Sequence, residues 1–321
     1  MTRIAIVGCG SIGRRHLANL HQLGYRDLLV FDPLDSVRDM ARRDFGVTAC
    51  DDMTEVWARD PDVSIIATPS NLHTPLAMAA ASVGSHLFVE KPLAHTVDRL
   101  DSLQDLVVAK GLVTMVGCNM RFHPGPVQIK RWLDEGAIGG VIAARIKTGS
   151  YLPGWRPQQD YRQSYSASPE WGGAMLDCIH ELDLAVWLLG EAELRAAVTR
   201  PATSLGLATD GLAELILEHA TGALSNVHVN FVQRNYRRSI EIIGELGTLH
   251  WDFTTGRVDL YGADGSLTRS LEQPTDWQVN QMYVDELCYF MECVRTRTQT
   301  FNPIVSAART LRVALEARNG R

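Results

Sequence analysis

The sequence lacks several features that mark whole classes of protein. No apolar stretch among its 321 residues approaches the roughly 20 residues that a membrane-spanning helix requires. A net charge of -6 leaves no basic excess for binding nucleic acid. The six cysteines include no Cys-x-x-Cys pair and no group spaced like zinc ligands. We therefore expect no membrane, nucleic-acid or metal partner, and cysteines that are mostly reduced packing residues.

The amino terminus shows no targeting signal. Met1-Thr2-Arg3 leads directly into an apolar strand, without the charged segment, long apolar segment and cleavage site of a signal peptide. The 45% hydrophobic and 21% charged residues are ordinary for a folded globular chain. We expect a soluble, cytoplasmic protein of two domains, because one core rarely serves a chain of this length.

Up to about residue 120, short β-branched runs alternate with helical patterns, as in βαβ units. This alternation predicts an α/β Rossmann domain with a parallel sheet. The predicted strands are Arg3 to Val7, Leu28 to Phe31, Val63 to Ala67, His86 to Val89 and Val113 to Gly117. The predicted helices are Ile12 to Leu23, Ser36 to Phe45, Thr74 to Val83 and Thr96 to Lys110.

Beyond residue 120 the pattern changes. A polar, aromatic loop at 151–168 precedes one predicted helix from about Gly173 to Leu189, and alternating strands between 194 and 272 predict an antiparallel sheet. Two helices, near Val279 to Arg295 and Ile304 to Asn319, end the chain. We assign residues 1–120 to the Rossmann domain and 121–321 to an α+β domain, and expect the last helix to pack back on the first domain.

The strongest local motif is Gly8-Cys9-Gly10-Ser11-Ile12-Gly13, which fits G-x-G-x-x-G. It follows a predicted strand and begins a helix, so the glycines can turn tightly and let a pyrophosphate approach the helix N-terminus. Asp32, nineteen positions after Gly13, suits hydrogen bonds from an adenosine ribose and favours NAD. Arg38 and Arg42 lie near enough to leave NADP open. The alternative is a glycine turn with a solvated aspartate.

Glu90-Lys91-Pro92 follows the strand His86 to Val89, at the carboxyl end of a predicted parallel strand, where open α/β sheets bind ligands. Lys91 would then lie beside the nicotinamide. A cis Lys91-Pro92 bond would fix the backbone direction there. From these three residues alone, an ordinary turn at the end of a strand is the favoured interpretation.

Asp177, His180 and Asp183 lie three residues apart in the predicted helix, which gives a stripe of polar groups on one face. Histidine suits proton transfer, and a neighbouring carboxylate can orient it. A buried structural histidine is the alternative. Asp-x-x-His alone offers too few ligands for a metal.

In this order, the glycine motif, Glu90-Lys91-Pro92 and the histidine helix resemble the glucose-fructose oxidoreductase, inositol dehydrogenase and MocA (Gfo/Idh/MocA) family. Further matching segments are Thr68-Pro69-Ser70-Asn71-Leu72-His73, Asn119-Met120-Arg121-Phe122 and Gly172-Gly173. The resemblance covers essentially the whole chain. It implies an open, predominantly antiparallel second sheet and a homodimer or homotetramer assembled through that sheet.

The resemblance also implies roles for individual residues. Lys91 and His180 would flank the reacting hydroxyl, and the inositol-dehydrogenase pattern places its catalytic aspartate at Leu176, so Asp177 lies one step away and ranks below them. The expected cofactor contacts are Gly8, Gly10, Ser11, Ile12, Gly13, Asp32, Thr68, Pro69, Asn71, His73, Glu90 and Lys91. The expected substrate contacts are Lys91, Arg121, Tyr151, Trp155, Arg156, His180 and Asp183.

The function that we expect is NAD-dependent hydride transfer to or from a secondary alcohol of a sugar, sugar derivative or polyol. The loop with Trp155 and Arg156 suits a polyhydroxylated ligand, since it combines hydrogen-bonding groups with aromatic faces. A solvated loop or an oligomer contact is an equally open interpretation of this segment. One alternative keeps the cofactor bound and recycles it. Another is a sugar- or NAD-sensing regulatory protein on the same fold, because a fold does not fix a function.

Overall fold

A computed structural model describes residues 2–320. By its contacts the chain divides into two compact units. The first unit contains the residues up to Cys118 and Val279–Leu311, and the second contains Asn119–Gln278 and the residues after Leu311. Among the described residues, no helix is both long and apolar enough to cross a membrane.

The first unit contains a parallel sheet of six strands. These strands, β1 to β6, are Ile4–Val7, Leu28–Phe31, Thr48–Ala49, Val63–Ile66, His86–Glu90 and Thr114–Gly117. Their order is β3-β2-β1-β4-β5-β6, and every neighbouring pair is parallel. Their residues are almost all buried, as expected for a sheet covered by helices on both faces. The predicted Rossmann fold is confirmed.

Five helices follow the strands of this sheet. They are α1 Ser11–Gln22, α2 Asp35–Phe45, α3 Met53–Ala58, α4 His73–Ser82 and α5 Leu100–Ala109. The short strand β3 and helix α3 were missing from the sequence-based interpretation. Helix α5 begins four residues later than predicted, because Arg99 takes a left-handed conformation (φ 58°) just before it.

The second unit contains a sheet of eight strands, with α6 at Pro124–Asp134 preceding it. The strands β7 to β14 are Val141–Tyr151, Ala192–Pro201, Asp210–His219, Leu224–Asn230, Val232–Gly244, Gly247–Asp252, Arg257–Gly262 and Leu267–Glu272. The order is β14-β13-β12-β11-β7-β10-β9-β8, and only β7 and β10 pair in parallel. The predicted α+β domain with an open, predominantly antiparallel sheet is confirmed.

Helices α7, Ala174–Asp177, and α8, His180–Leu189, pack on one face of this sheet, against β7, β9 and β10. Burial alternates along β9 and β10, so each strand turns every second side chain toward these helices. The side chains on the other face are mostly polar or charged, with Val198, Ile216 and Leu224 exposed among them. We call this the open face, and it carries Arg145, Lys147, Glu214, His228, Arg237 and Glu241.

Two helices close the chain, α9 at Asn280–Thr296 and α10 at Ile304–Arg318. Within the first unit α9 packs on α1, and the segment between α9 and α10 runs along β6. There Val116 donates its N–H to the carbonyl of Asn302 at 3.0 Å, and the Asn302 side chain donates back to the carbonyl of Val116 at 2.9 Å.

Candidate active site

The glycine turn after β1 has the shape that a dinucleotide requires. Gly8 has a φ of +86°, and a Cβ on Gly13 would lie 1.9 Å from the carbonyl oxygen of Gly8, so neither position admits a side chain without strain. A Cβ on Gly10 would meet no atom within 4 Å. The turn therefore packs tightly against itself on one side and leaves space on the other.

Helix α1 begins in this space with Gly10 as its N-cap, and no side chain caps it. Ser11 is exposed and Ile12 half-buried, and the first turn holds no acidic residue. The backbone N–H groups of a first helical turn attract an anion through their partial positive charge. The turn can thus hold a pyrophosphate.

Asp32 lies directly after β2 and is 8% exposed. One carboxylate oxygen accepts the N–H of Cys9 at 2.9 Å, and the other accepts the N–H of Leu34 at 3.0 Å. Burial, reinforced by Asp32, raises the pKa of the Cys9 thiol to about 11. Asp32 therefore ties the glycine turn to the end of β2, and Cys9 remains a neutral packing residue.

The two arginines that left NADP open are engaged by carboxylates. Arg38 donates to Asp35 at 2.6 Å and to the backbone carbonyl of Asp32 at 2.7 Å. Arg42 donates to Asp39 at 2.8 Å and is also bonded to Asp51 at 3.2 Å. A 2′-phosphate would have to compete with these carboxylates, so the local charges favour NAD.

The segment after β4 holds two buried polar atoms that could face a ligand. Thr68 Oγ1 and Asn71 Oδ1 have no hydrogen-bond partner among residues 2–320. A buried polar atom without a partner costs roughly 1–3 kcal/mol, so such atoms in a folded site point to a missing donor or acceptor. Pro69, between them, is exposed.

His73 is 1% exposed and bridges two loops. Its Nδ1 lies 2.9 Å from the carbonyl oxygen of Pro92, and its Nε2 lies 2.8 Å from that of Thr68. Burial lowers the pKa of His73, although both carbonyls oppose the shift. His73 therefore holds the loop after β4 against the loop after β5, and both of its nitrogens are occupied by backbone.

Glu90 ends β5, and Lys91 follows it in a half-buried position. The Lys91-Pro92 peptide bond is cis, as predicted. Glu90 Oε1 lies 2.7 Å from Nε2 of His16, which projects from α1 and is fully buried. His16 was not identified from the sequence, since 74 residues separate it from Glu90 and no local pattern links them.

The prediction of one helix from Gly173 to Leu189 is wrong, because the helix is interrupted at Cys178 and Ile179. Cys178 has φ -96° and ψ 30°, outside the helical range. A side chain on each side of this break has a tertiary partner. Ser166 donates to Asp177 at 2.5 Å on one side, and Glu181 lies 2.6 Å from the Arg238 guanidinium on the other. Asp177 therefore does not continue the helical face of His180.

His180 begins α8 and is half-buried. Asp183, on the same face one turn later, is 1% exposed. Its carboxylate accepts hydrogen bonds from Arg121 Nε at 2.8 Å and from Arg121 Nη2 at 2.7 Å, which together form a bidentate ion pair. Both carboxylate oxygens of Asp183 are thus engaged by Arg121, which lies in the 3-10 helix Asn119–Phe122.

The loop after β7 keeps its predicted character. Arg234 lies over the ring of Tyr151 at 3.9 Å, and Trp155 is 42% exposed, with its N–H donated to Ser150. Arg156 is exposed. These three predicted substrate residues combine aromatic faces with a cation.

A further contact fixes the chain before α7. Asp210 accepts the N–H of Met175 at 2.7 Å and pairs with Arg318 at 3.1 Å. Arg318 also donates to the carbonyls of Pro169 and Glu170. Sequence reasoning missed this contact because its partners are distant in the chain. No cluster of three or more histidine, cysteine, aspartate or glutamate side chains suited to a metal occurs in the part of the chain that the structure describes.

Comparison with known proteins agrees with this geometry. Residues 2–118 match the model of an oxidoreductase family with an NAD-binding Rossmann fold, and residues 127–250 match the C-terminal domain model of the same family. The chain is thus an NAD-dependent dehydrogenase. It belongs to the Gfo/Idh/MocA family.

Three similar proteins illustrate the match. The scyllo-inositol 2-dehydrogenase (NAD(+)) of Bacillus subtilis strain 168 is 29% identical over 99% of this chain and 93% of its own. Inositol 2-dehydrogenase 4 of Saccharopolyspora erythraea is 30% identical over 77% of this chain and 72% of its own. A solved levoglucosan dehydrogenase, in complex with NADH and levoglucosan, has a TM-score of 0.88 at 21% identity and covers 99% of this chain and 97% of its own.

Proposed function

We propose that this protein oxidises a secondary alcohol of a sugar, sugar derivative or polyol to a ketone, with Lys91 as the cation and His180 as the acid/base. One observation carries the proposal. The glycine turn, the Thr68 loop and Lys91 follow β1, β4 and β5, which are adjacent parallel strands. Their carboxyl ends form the edge where open α/β sheets bind ligands.

The residues at this edge fit NAD. Gly10 leaves room for the pyrophosphate at the start of α1, and Asp32 would accept hydrogen bonds from the ribose hydroxyls. The buried side-chain oxygens of Thr68 and Asn71 have no hydrogen-bond partner among residues 2–320 and could bond the cofactor. His73 serves by holding the Thr68 and Pro92 loops together. When bound, the nicotinamide supplies the acceptor for the hydride from the carbinol carbon.

Two side chains of the protein would assist the transfer of the hydroxyl proton. His180 takes the hydroxyl proton, because an imidazole titrates near neutral pH. The Lys91 ammonium stabilises the alkoxide that develops as this proton leaves, and such stabilisation is larger where water is excluded. In the reverse direction, His180 returns the proton to the new alcohol.

Asp177 is less well placed than Lys91 or His180 to take part in the proton transfer. It is bonded by Ser166 and lies beyond the break that separates it from α8. We assign it to orienting the segment before His180. The Arg121 and Asp183 pair holds α8 from the other side, while Tyr151, Trp155 and Arg156 would contact the substrate.

The substrate class follows from the relatives, whose names give inositols and the anhydrosugar levoglucosan. All are ring compounds with several secondary hydroxyls. An exposed aromatic face at Trp155 and a cation at Arg156 suit the ring and its hydroxyls, respectively. We therefore propose a cyclic polyol or sugar as the substrate.

The test combines cofactor titration with a substrate panel. Calorimetry with NAD and NADP comes first, followed by myo-inositol, scyllo-inositol, levoglucosan and common aldoses at the NADH absorbance band. Lys91→Met should abolish turnover and leave the NAD affinity unchanged. Full turnover in Lys91→Met would refute the assignment, and NAD binding without turnover across the panel would favour the regulatory alternative.

We also propose that the open face joins two copies of the chain in a homodimer or homotetramer. It carries charges of both signs around a cavity of about 410 Å³, including Arg145 paired with Glu241 at 2.9 Å. A two-fold axis brings such a patch against itself. Light scattering after size exclusion should show a smaller species for Lys147→Glu and an unchanged one for Arg43→Glu, which lies in the first unit.

A further inference from the structure

We propose that His16 and Glu90 form a positioning pair for Lys91, an inference that rests on the proposed role of Lys91 as the cation. The pair links α1 to the end of β5. His16 Nε2 lies 2.7 Å from Glu90 Oε1, and the other carboxylate oxygen accepts the backbone N–H of Lys91 at 3.2 Å. The carboxylate is thus fixed at both ends, with Lys91 at one of them.

Buried groups pack closely around the pair. His16 is 0% exposed, and its ring lies edge-on to Phe88 and Tyr283, with centroids 5.1 and 6.3 Å away. Gly117 faces Glu90 from β6, and a Cβ there would lie 3.2 Å from Glu90 Oε1 and 3.1 Å from the Phe88 ring. Glycine at this position makes the room that the carboxyl group needs.

The charges of Glu90 and Lys91 act on a common neighbour, the Tyr283 hydroxyl on α9. Burial raises the pKa of Tyr283 and Glu90 raises it further, whereas Arg15 and Lys91 oppose the shift. Glu286, also on α9, contributes a second negative charge. Glu90 and Lys91 therefore act on the same hydroxyl group with opposite signs.

The pair acts by fixing where the Lys91 side chain begins. A buried carboxylate must be hydrogen-bonded, and His16 is the group outside the loop that binds it. Without His16, the carboxylate is free to turn away from the Lys91 N–H. A displacement of about 1 Å at a reacting group costs up to about 100-fold in rate, so we expect a loss of about tenfold in kcat.

The first experiment compares His16→Phe and Glu90→Gln with a matched control, His21→Phe. Phenylalanine keeps the ring packing at position 16 but removes the donor. His21 lies on the same helix, and its ring contacts Phe45. With NAD and the panel polyol that turns over fastest, His16→Phe and Glu90→Gln should each lower kcat about tenfold with the KM within twofold. His16→Phe, which changes no expected cofactor contact, should also keep the calorimetric NAD affinity within twofold. The control should match the parent.

A second readout needs neither substrate nor cofactor. The chain has four lysines, Lys91, Lys110, Lys130 and Lys147, so reductive methylation with ¹³C-formaldehyde gives few resonances, and Lys91→Met assigns one of them. Glu90→Gln removes a negative charge beside Lys91 and should lower the pKa of Lys91. In His16→Phe the Lys91 resonance should move, while the other three lysines stay unchanged.

These outcomes separate two failures. If Lys91→Met turns over normally, the proposed function fails. Suppose instead that Lys91→Met is inactive, but that the chemical shift and the titration curve of Lys91 in His16→Phe and Glu90→Gln equal those of the parent. The positioning inference alone is then overturned. A purely structural role would lower the melting temperature and leave the Lys91 titration unchanged, and this result would also overturn it.

Discussion

Removal of Arg121 should destabilise the protein strongly. The guanidinium and the Asp183 carboxylate are only 5% and 2% exposed, and two hydrogen bonds of 2.7 and 2.8 Å join them. In Arg121→Met the aspartate stays buried without its partner. Breaking a buried pair in this way costs about 3–5 kcal/mol. For a unit of this size, the melting temperature should fall by about 10 °C.

The assay is urea unfolding followed by tryptophan fluorescence. Six of the seven tryptophans lie within Asn119–Gln278, so the signal reports mainly on the second unit. The matched control is Lys130→Met, which breaks a surface pair with Asp134 and should cost less than about 0.5 kcal/mol. Replacing Asp183 by leucine as well should recover much of the loss, because no charge is then left unpaired.

The result also decides what the pair does. If Arg121 and Asp183 hold α8 in place, Arg121→Met lowers stability and kcat together. If they bind substrate directly, the variant raises the KM and leaves the unfolding free energy nearly unchanged. A loss below about 1 kcal/mol would refute the reasoning from burial.

Variants at the glycine turn, at Arg318 and at His123 should each have a distinct effect. Gly10→Ala should fold normally, because its Cβ meets no atom, yet lose NAD affinity by calorimetry; unchanged affinity would contradict a pyrophosphate there. Arg318→Ala should lower kcat and spare NAD affinity, since Arg318 holds Asp210 and the chain before α7; an unchanged kcat would count against this. Burial, then Arg238, lowers the pKa of His123 to about 3, so between pH 6.5 and 3 only the unfolded chain binds this proton. The free energy of unfolding should therefore decrease as the pH is lowered, by about 2 kcal/mol between pH 6.5 and pH 5. Urea titrations at both pH values should show that His123→Asn removes this decrease.

Local patterns predicted the Rossmann fold of the first unit well. The glycine turn, Asp32 and Lys91 are each set by a strand and the few residues after it, so spacing along the chain was enough. Helix α3 was missed although Asp52 caps it by accepting the N–H of Glu55. That Asp-x-x-Glu pattern is a usable signal.

Long-range pairs escaped the sequence for a physical reason. Partners such as Asp210 and Arg318 meet only when the chain is folded, and nothing in their neighbours encodes the meeting. The break before α8 was missed for a related reason, because apolar Met175, Ile179 and Leu182 continue a helical pattern through it without glycine or proline. The structure shows tertiary contacts of Asp177 and Glu181 on either side of this break, which local sequence does not reveal.

In the proposed mechanism, Lys91 and His180 act on one hydroxyl. A crystal structure of the protein with NADH and the polyol identified in the panel tests it most directly. We expect Lys91 Nζ and the His180 imidazole both within about 3 Å of the same oxygen, with its carbon about 3–3.5 Å from the nicotinamide. A polyol bound with neither group on the carbinol nearest the nicotinamide would contradict the account.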